Sequence, residues 1–275
     1  MKYTTHNDLS QLFQNLISEI KDVLALIANQ PDEPNVHRFR VLAKRVFAYN
    51  EWISGLYKQH GKITRLKQFR EIFRYAGMLR EIHIYHLFVE KYSHQGILPD
   101  IKVEKMMQKR QIKYRKAFIK LIEGHRKKLK LPELKINREI QLVNHTGFTK
   151  DLISKLESKI RLLLEDCASD KILHKIRILV KRMVYIHEMN EKAGYGTLLP
   201  AIYFDGLVQI QRDIGRWHDC QVILTTIAKH ETEASIFIST LYAEMITLRS
   251  QVVERLNAIL STEILFPDSN DDLIE

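Results

Sequence analysis

The sequence predicts an all-α protein built as two four-helix bundle halves, and three observations lead there. Glycine and proline are scarce, 10 and 6 in 275 residues, and apolar residues recur at helical spacing in one segment after another. A basic run, His37-Arg38-Phe39-Arg40-Val41-Leu42-Ala43-Lys44-Arg45, returns 137 residues later as His174-Lys175-Ile176-Arg177-Ile178-Leu179-Val180-Lys181-Arg182. A second element, Arg74-x-x-Gly77-x-x-Arg80-Glu81-x-x-Ile84, matches Arg212-x-x-Gly215-x-x-His218-Asp219-x-x-Val222 at an offset of 138, one loop residue accounting for the difference. A repeat of half the chain length means that one supersecondary unit is used twice.

Taken in order, the first helix is expected over about Leu9 to Ala28, where Leu9, Leu12, Phe13, Leu16, Ile20, Val23, Leu24 and Ile27 keep one face apolar. Pro31-Asp32-Glu33-Pro34 ends it and starts the next, with Asp32 or Asn35 as N-cap. The first basic run lies on this second helix, which extends to about Tyr57. Gly61 marks a turn, and a third helix is expected from about Ile63 to Tyr92. Gly77 in its interior costs ~1 kcal/mol against alanine, usually a sign of close approach by a neighbour. Gly96 and Pro99 precede a fourth helix, Lys102 to Leu129. The mixed stretch Pro132 to Thr149 reads as a connection. The second half then repeats the plan, with helices over about Asp151–Asp166, from Ser169 or Asp170 onward, Leu199–Lys229 and Ala234–Leu260. The expected organisation is one domain over residues 1–267, with halves of about 1–135 and 145–267. Residues 268–275 are an acidic tail expected to be disordered.

Wound on a helix at ~100° per residue, His37, Arg40 and Lys44 fall on one face, with Arg45 on its shoulder. His174, Arg177, Lys181 and Arg182 do the same. Phe39, Ala43 and Val46, and then Ile176, Val180 and Met183, point the other way. Lys67, Arg70 and Arg74 repeat the geometry on the third helix. Like charges one turn apart repel by a few tenths of a kcal/mol per pair. A solvated face is the ordinary fate of one such run, but recurrence with the same residue types and spacing points to a use for the positive potential.

The net charge of +10 is unevenly spread: residues 1–140 hold 28 Lys+Arg against 14 Asp+Glu, and residues 141–275 hold 15 against 19. Such a body attracts a polyanion, whether nucleic acid, anionic membrane surface or phosphate polymer. No run approaches the ~20 apolar residues of a membrane span, and the polar start Met1–Asp8 does not resemble a signal peptide. Two cysteines, Cys167 and Cys220, suit a reducing compartment and lack metal-site spacing.

With both repeated elements present twice, in this order and at this separation, the chain resembles the CHAD domains (conserved histidine α-helical domains) as far as about Leu265. The resemblance implies two four-helix halves related by a pseudo-two-fold axis, enclosing a central basic channel. It also implies binding of inorganic polyphosphate, or another phosphate-rich polyanion, without catalysis and without a cofactor. The implied binding residues are His37, Arg40, Lys44, Arg45, Lys67, Arg70, Arg74 and Arg80 in the first half. In the second they are His174, Arg177, Lys181, Arg182, Arg212, Arg216 and His218. The implied location is the cytoplasm, polyphosphate granules being one place of association. The family's Arg-Asp pair is Arg80-Glu81 in one half and His218-Asp219 in the other, each acid expected to orient a nearby arginine. Gln209 and Gln211 stand where further bases would be expected, so the second half is expected to be the weaker partner.

The residue chemistry fits this. A thread of phosphates needs a track of cations, with Arg gripping oxygens in pairs and Lys acting as a point charge. Helix N-termini near His37 and His174 would add donors, and protonation of the histidines would tighten binding as pH falls through ~6–7. RNA binding is the alternative, but Phe39, Phe47 and Trp52 lie away from or beside the basic stripe, where core packing suits them better than stacking. Phosphoryl transfer is not expected: there is no G-x-x-x-x-G-K-[ST] run and the acids are scattered. His83 and His86 have spacing for a metal but no convincing third ligand.

Overall fold

The structure, a computed structural model, describes residues 6–57, 61–125, 130–136, 145–165, 169–228, 230 and 235–262. Cys167 and the tail 268–275 lie outside them. Eight helices are present among the described residues: α1 His6–Asn29, α2 Glu33–Tyr57, α3 Leu66–Ser93, α4 Ile101–His125, α5 His145–Glu165, α6 Asp170–Lys192, α7 Ala201–Ile227 and α8 Ile236–Leu260. Helix α1 packs on α2, α2 on α3, α3 on α4 and α4 back on α1; α5 to α8 close in the same order. The fold is all-α, and no described helix is long and apolar enough to cross a membrane.

Caps account for the starts of the two motif helices. Asp32 Oδ1 accepts from the Asn35 amide (3.0 Å) ahead of α2, and Ser169 Oγ accepts from the Ile172 amide (3.4 Å) ahead of α6. On the inner face of α2, Phe39, Ala43, Val46, Trp52 and Ile53 are wholly buried; Ile176, Val180 and Met183 do the same on α6. Each such large side chain contributes ~1.5–3 kcal/mol by leaving water. Trp52 also donates from Nε1 to Thr149 Oγ1 on α5 (3.1 Å), fixing one half against the other.

Two elements depart from the sequence expectation. Ile63 and Thr64 are not the start of a helix: Gly61–Thr64 is a strand, β1, paired antiparallel with β2, Glu133–Ile136. Four-residue strands are too short for alternation to reveal. Arg65 then enters the left-handed region (φ 62°) and pairs with Glu133 (3.0 Å), which turns the chain from β1 into α3. Helix α5 begins at His145, six residues before the expected start, because Thr149 and His145 are themselves buried.

The halves meet through α2 against α6 and α3 against α7. Between the motif helices the ion pairs are reciprocal. Arg45 binds Glu188 (3.1 Å), and Arg182 binds Glu51, the positions in each case 137 apart.

Candidate functional site

The packing of α2, α3, α6 and α7 leaves a half-open cleft of about 270 Å³. His37, Arg40 and Lys44 enter it from α2, Arg177 and Lys181 from α6, Arg80 and Glu81 from α3, and Arg212, Arg216, His218 and Asp219 from α7. The reason is the helical spacing: the apolar face of each motif helix is fixed in its own half, so the opposite, basic face is left at the junction between halves.

Gly77 shows how closely the cleft is built. A Cβ there would lie 2.7 Å from Arg40 Nη1. Without one, the Arg40 guanidinium lies along α3, donating to the Phe73 carbonyl (3.1 Å) with its carbon 4.4 Å from the Phe73 ring centre. The repeat-related Gly215 has open space around it, and the residue aligned with Phe73 is Gln211. Arg177 therefore has no such anchor, and its buried Nε has no hydrogen-bond partner among the described residues.

Burial first, and then crowding of like charge, set the electrostatics. Burial, then the charges of Lys44, Arg177 and Arg40, push the Lys181 ammonium down to about 6, with Asp219 opposing. Lys44 is pushed down to about 8, again by burial first and then by Arg40 and Arg177. Arg40 falls to about 10 and stays charged at neutral pH. His37, His174 and His218 are all held below the ordinary imidazole value, chiefly by burial, with neighbouring cations adding to it. The cleft thus holds more positive charge than its two carboxylates offset. Asp219 acts through its field on His37, Arg40, Lys44, Arg177 and Lys181. The sequence expectation was that Glu81 and Asp219 each orient an arginine; among the described residues neither makes an ion pair with one, and Asp219 Oδ1 lies 3.9 Å from His218 Nδ1.

The other expected residues are placed differently. Arg45 and Arg182 do not line the cleft, because each points sideways into the cross-half ion pairs with Glu188 and Glu51. Lys67, Arg70 and Arg74 are exposed outside it. They continue the α3 stripe that carries Gly77 and Glu81, since Arg70, Arg74, Gly77 and Glu81 follow at three- and four-residue intervals. His174 is beside the cleft, its ring 5.2 Å from that of His218. Arg80 is committed to Glu33 at the start of α2, and Arg249 to Asp170 (3.1 Å) at the start of α6. Each N-terminus thus has an acid in its first turn, whose negative charge offsets the helix-end potential that an anion would meet there. The second half is not the poorer contributor: it places Arg177, Lys181, Arg212, Arg216 and His218 in the cleft, against His37, Arg40, Lys44 and Arg80 from the first. Gln209 is turned away, donating to Asp213 (3.2 Å), which also binds Arg255. Phe39 and Trp52 are fully buried. His83 is buried next to Arg80 and pushed down to about 4, and no group of three metal-binding side chains occurs among the described residues.

Comparison with known proteins bears on the fold and the family. No curated protein matches the sequence at a significant level. Among solved structures, the crystal structure of the CHAD domain from the plant Ricinus communis superposes with a TM-score of 0.54 at 12% identity, covering 95% of this chain and 93% of that one. At that identity the likeness speaks for the fold. The sequence model of the CHAD domain matches residues 9–228, four-fifths of the chain, and includes both motif helices and the cleft. The chain belongs to the CHAD domain family.

Proposed function

We propose that the cleft binds inorganic polyphosphate and performs no chemistry on it. The observation that carries this is the convergence of Arg40, Lys44, Arg177 and Lys181 on one cleft, with no carboxylate ion-paired to any of the four among the described residues. Cations held together against burial and mutual repulsion are an unfilled site for a dense anion, because the ligand supplies the charge that the fold withholds. The association of CHAD domains with polyphosphate supports the choice of anion. The cleft's own make-up does too: arginine forks and lysine point charges line it, Phe39 and Trp52 are buried in the core, and the Arg40 guanidinium already sits over the Phe73 ring. In this reading the two halves form one basic channel around the polymer, and the protein acts in the cytoplasm.

Titration of long-chain polyphosphate tests this. Lys44→Ala and Lys181→Ala are each expected to weaken binding by about tenfold or more, as for the loss of a charge-assisted contact of ~1.5–3 kcal/mol. Equal competition by RNA at ~150 mM salt would replace the reading with general polyanion binding. Release of phosphate from polyphosphate in the presence of Mg²⁺ would refute the non-catalytic part of it.

A further inference from the structure

Helix α4 carries a second concentration of positive charge outside the cleft. Lys102, Lys105, Lys109, Lys113, Lys116 and Lys120 follow one another at three- and four-residue intervals. At ~100° per residue all six fall within an arc of about 80°, forming one stripe ~27 Å long. All six are exposed, and none is in an ion pair among the described residues. The opposite face buries Val103, Met107 and Phe118. Glu104, the one acid between the first and last lysine, turns away from the stripe and accepts a hydrogen bond from the Tyr85 hydroxyl (2.9 Å).

A run of exposed lysines is usually no more than a solvated face. What sets this one apart is continuity with the cleft. Arg110 stands on the shoulder of the stripe, sharing a shallow pocket with Lys102, Lys105, Lys109 and Lys113. It also acts on Glu81, drawing that carboxyl down against the effect of burial, and Glu81 lines the cleft. Helix α4 packs directly on α3, which carries Glu81. The cleft and the α4 stripe therefore adjoin across α3, with Glu81 on the cleft side and Arg110 on the stripe side. The stripe is made of lysine, the cation suited to a mobile, geometry-tolerant hold on phosphate. Two exposed isoleucines on α4, Ile101 (68% exposed) and Ile112 (57%), are too little apolar surface for insertion into a membrane.

We propose that the α4 stripe is an exit track, along which a phosphate polymer too long for the cleft leaves past Glu81 and Arg110 and lies on the α4 lysines. This rests on the polyphosphate reading above. Affinity then grows with chain length, and the α4 lysines account for the growth.

The test compares wild type with a variant combining Lys105→Gln, Lys109→Gln, Lys113→Gln and Lys116→Gln. Each is titrated with tripolyphosphate, too short to leave the cleft, and with polyphosphate of about a hundred units. With a single-strand coefficient of about 0.7 per contact, four lost contacts lower the salt-dependence slope for the long chain by about 3, and weaken it roughly 100-fold near 150 mM salt. Tripolyphosphate binding is expected to be unchanged, and melting temperature shows that the variant is folded. An unchanged long-chain affinity overturns the proposal while leaving the cleft reading intact. Equal weakening of short and long chains also overturns it, because the lysines would then act only through a general field. Binding of anionic phosphatidylserine vesicles, lost in the variant while long-chain polyphosphate binding persists, assigns the stripe to membrane and overturns it as well. Failure of wild type to bind either polyphosphate overturns the cleft reading and this one together.

Discussion

Ligand binding in this cleft should take up protons, and Lys181 is the group that makes the effect measurable. Burial, then the neighbouring cations, push Lys181 down to about 6 and Lys44 down to about 8, against ~10.4 for a free lysine. The groups facing Lys181 are Lys44, Arg40 and Arg177, with Asp219 the opposing carboxylate. A phosphate chain lying among them restores both lysines toward their ordinary value. At pH 7 Lys181 is then mostly neutral in the free protein and charged in the complex, so binding absorbs about one proton. The sign follows: affinity rises as pH falls, by about tenfold per unit through the window between the free and bound values. It levels off below about 6, where Lys181 is charged before the ligand arrives. From pH 8 to 6.5 the gain is roughly 30-fold, and above pH 8 the slope steepens as Lys44 joins. His37, His174 and His218, all held low, contribute only at the acid end of this range. This moves the source of the pH dependence from the histidines, where the sequence alone would put it, to the lysines. The measurement is calorimetric titration of long-chain polyphosphate at fixed salt in two buffers of different ionisation enthalpy, which counts the protons directly. Lys181→Arg, always charged, should flatten the profile between pH 6 and 8 while keeping the affinity of the acid limb. A wild-type profile that is flat over that range refutes the reasoning, and so does a Lys181→Arg profile as steep as wild type.

The same crowding predicts a stability cost in the unliganded protein. A lysine whose folded pKa is depressed binds fewer protons folded than unfolded, so this penalty is fully present below about 6 and fades toward ~10.4. Lys181→Met should raise the melting temperature at pH 7 by a few degrees, with the gain shrinking toward pH 10, while polyphosphate affinity falls. Gly77→Ala should weaken binding, because the Arg40 guanidinium must swing away from the new Cβ, while stability changes little, the helix gaining up to ~1 kcal/mol from the alanine. Gly215→Ala meets open space and should be neutral or stabilising by up to ~1 kcal/mol; paired thermal melts check both. A double-mutant cycle on Arg182 and Glu51 should give a coupling of about 1 kcal/mol in chemical denaturation, with the salt dependence of polyphosphate binding unchanged.

What the sequence reveals here follows from periodicity. The apolar faces of α2 and α6 are set by spacing alone, so the helix bounds, and the fact that His37, Arg40, Lys44, Arg177 and Lys181 share faces, are legible in the chain. Their meeting in one cleft is not set by spacing, because it depends on how α2 crosses α6 and α3 meets α7. A single shoulder residue shows the limit. Arg45 and Lys44 are neighbours in the motif and equally basic, yet about 100° of helix rotation sends Lys44 into the cleft and Arg45 to Glu188. The acids that capture Arg45 and Arg182 are Glu188 and Glu51, which are themselves 137 residues apart. A search for repeated acids as well as repeated bases would have found that pair, and with it the division of labour inside the motif. One arginine of each copy binds the halves together, Arg38 pairs with Glu19 on α1, and Arg40, Lys44, Arg177 and Lys181 are left without an ion-paired carboxylate among the described residues. The positive cleft thus depends on the cross-half ion pairs that hold α2 against α6. Breaking both should therefore weaken ligand binding indirectly, through loss of the cleft's shape, even though neither touches the ligand.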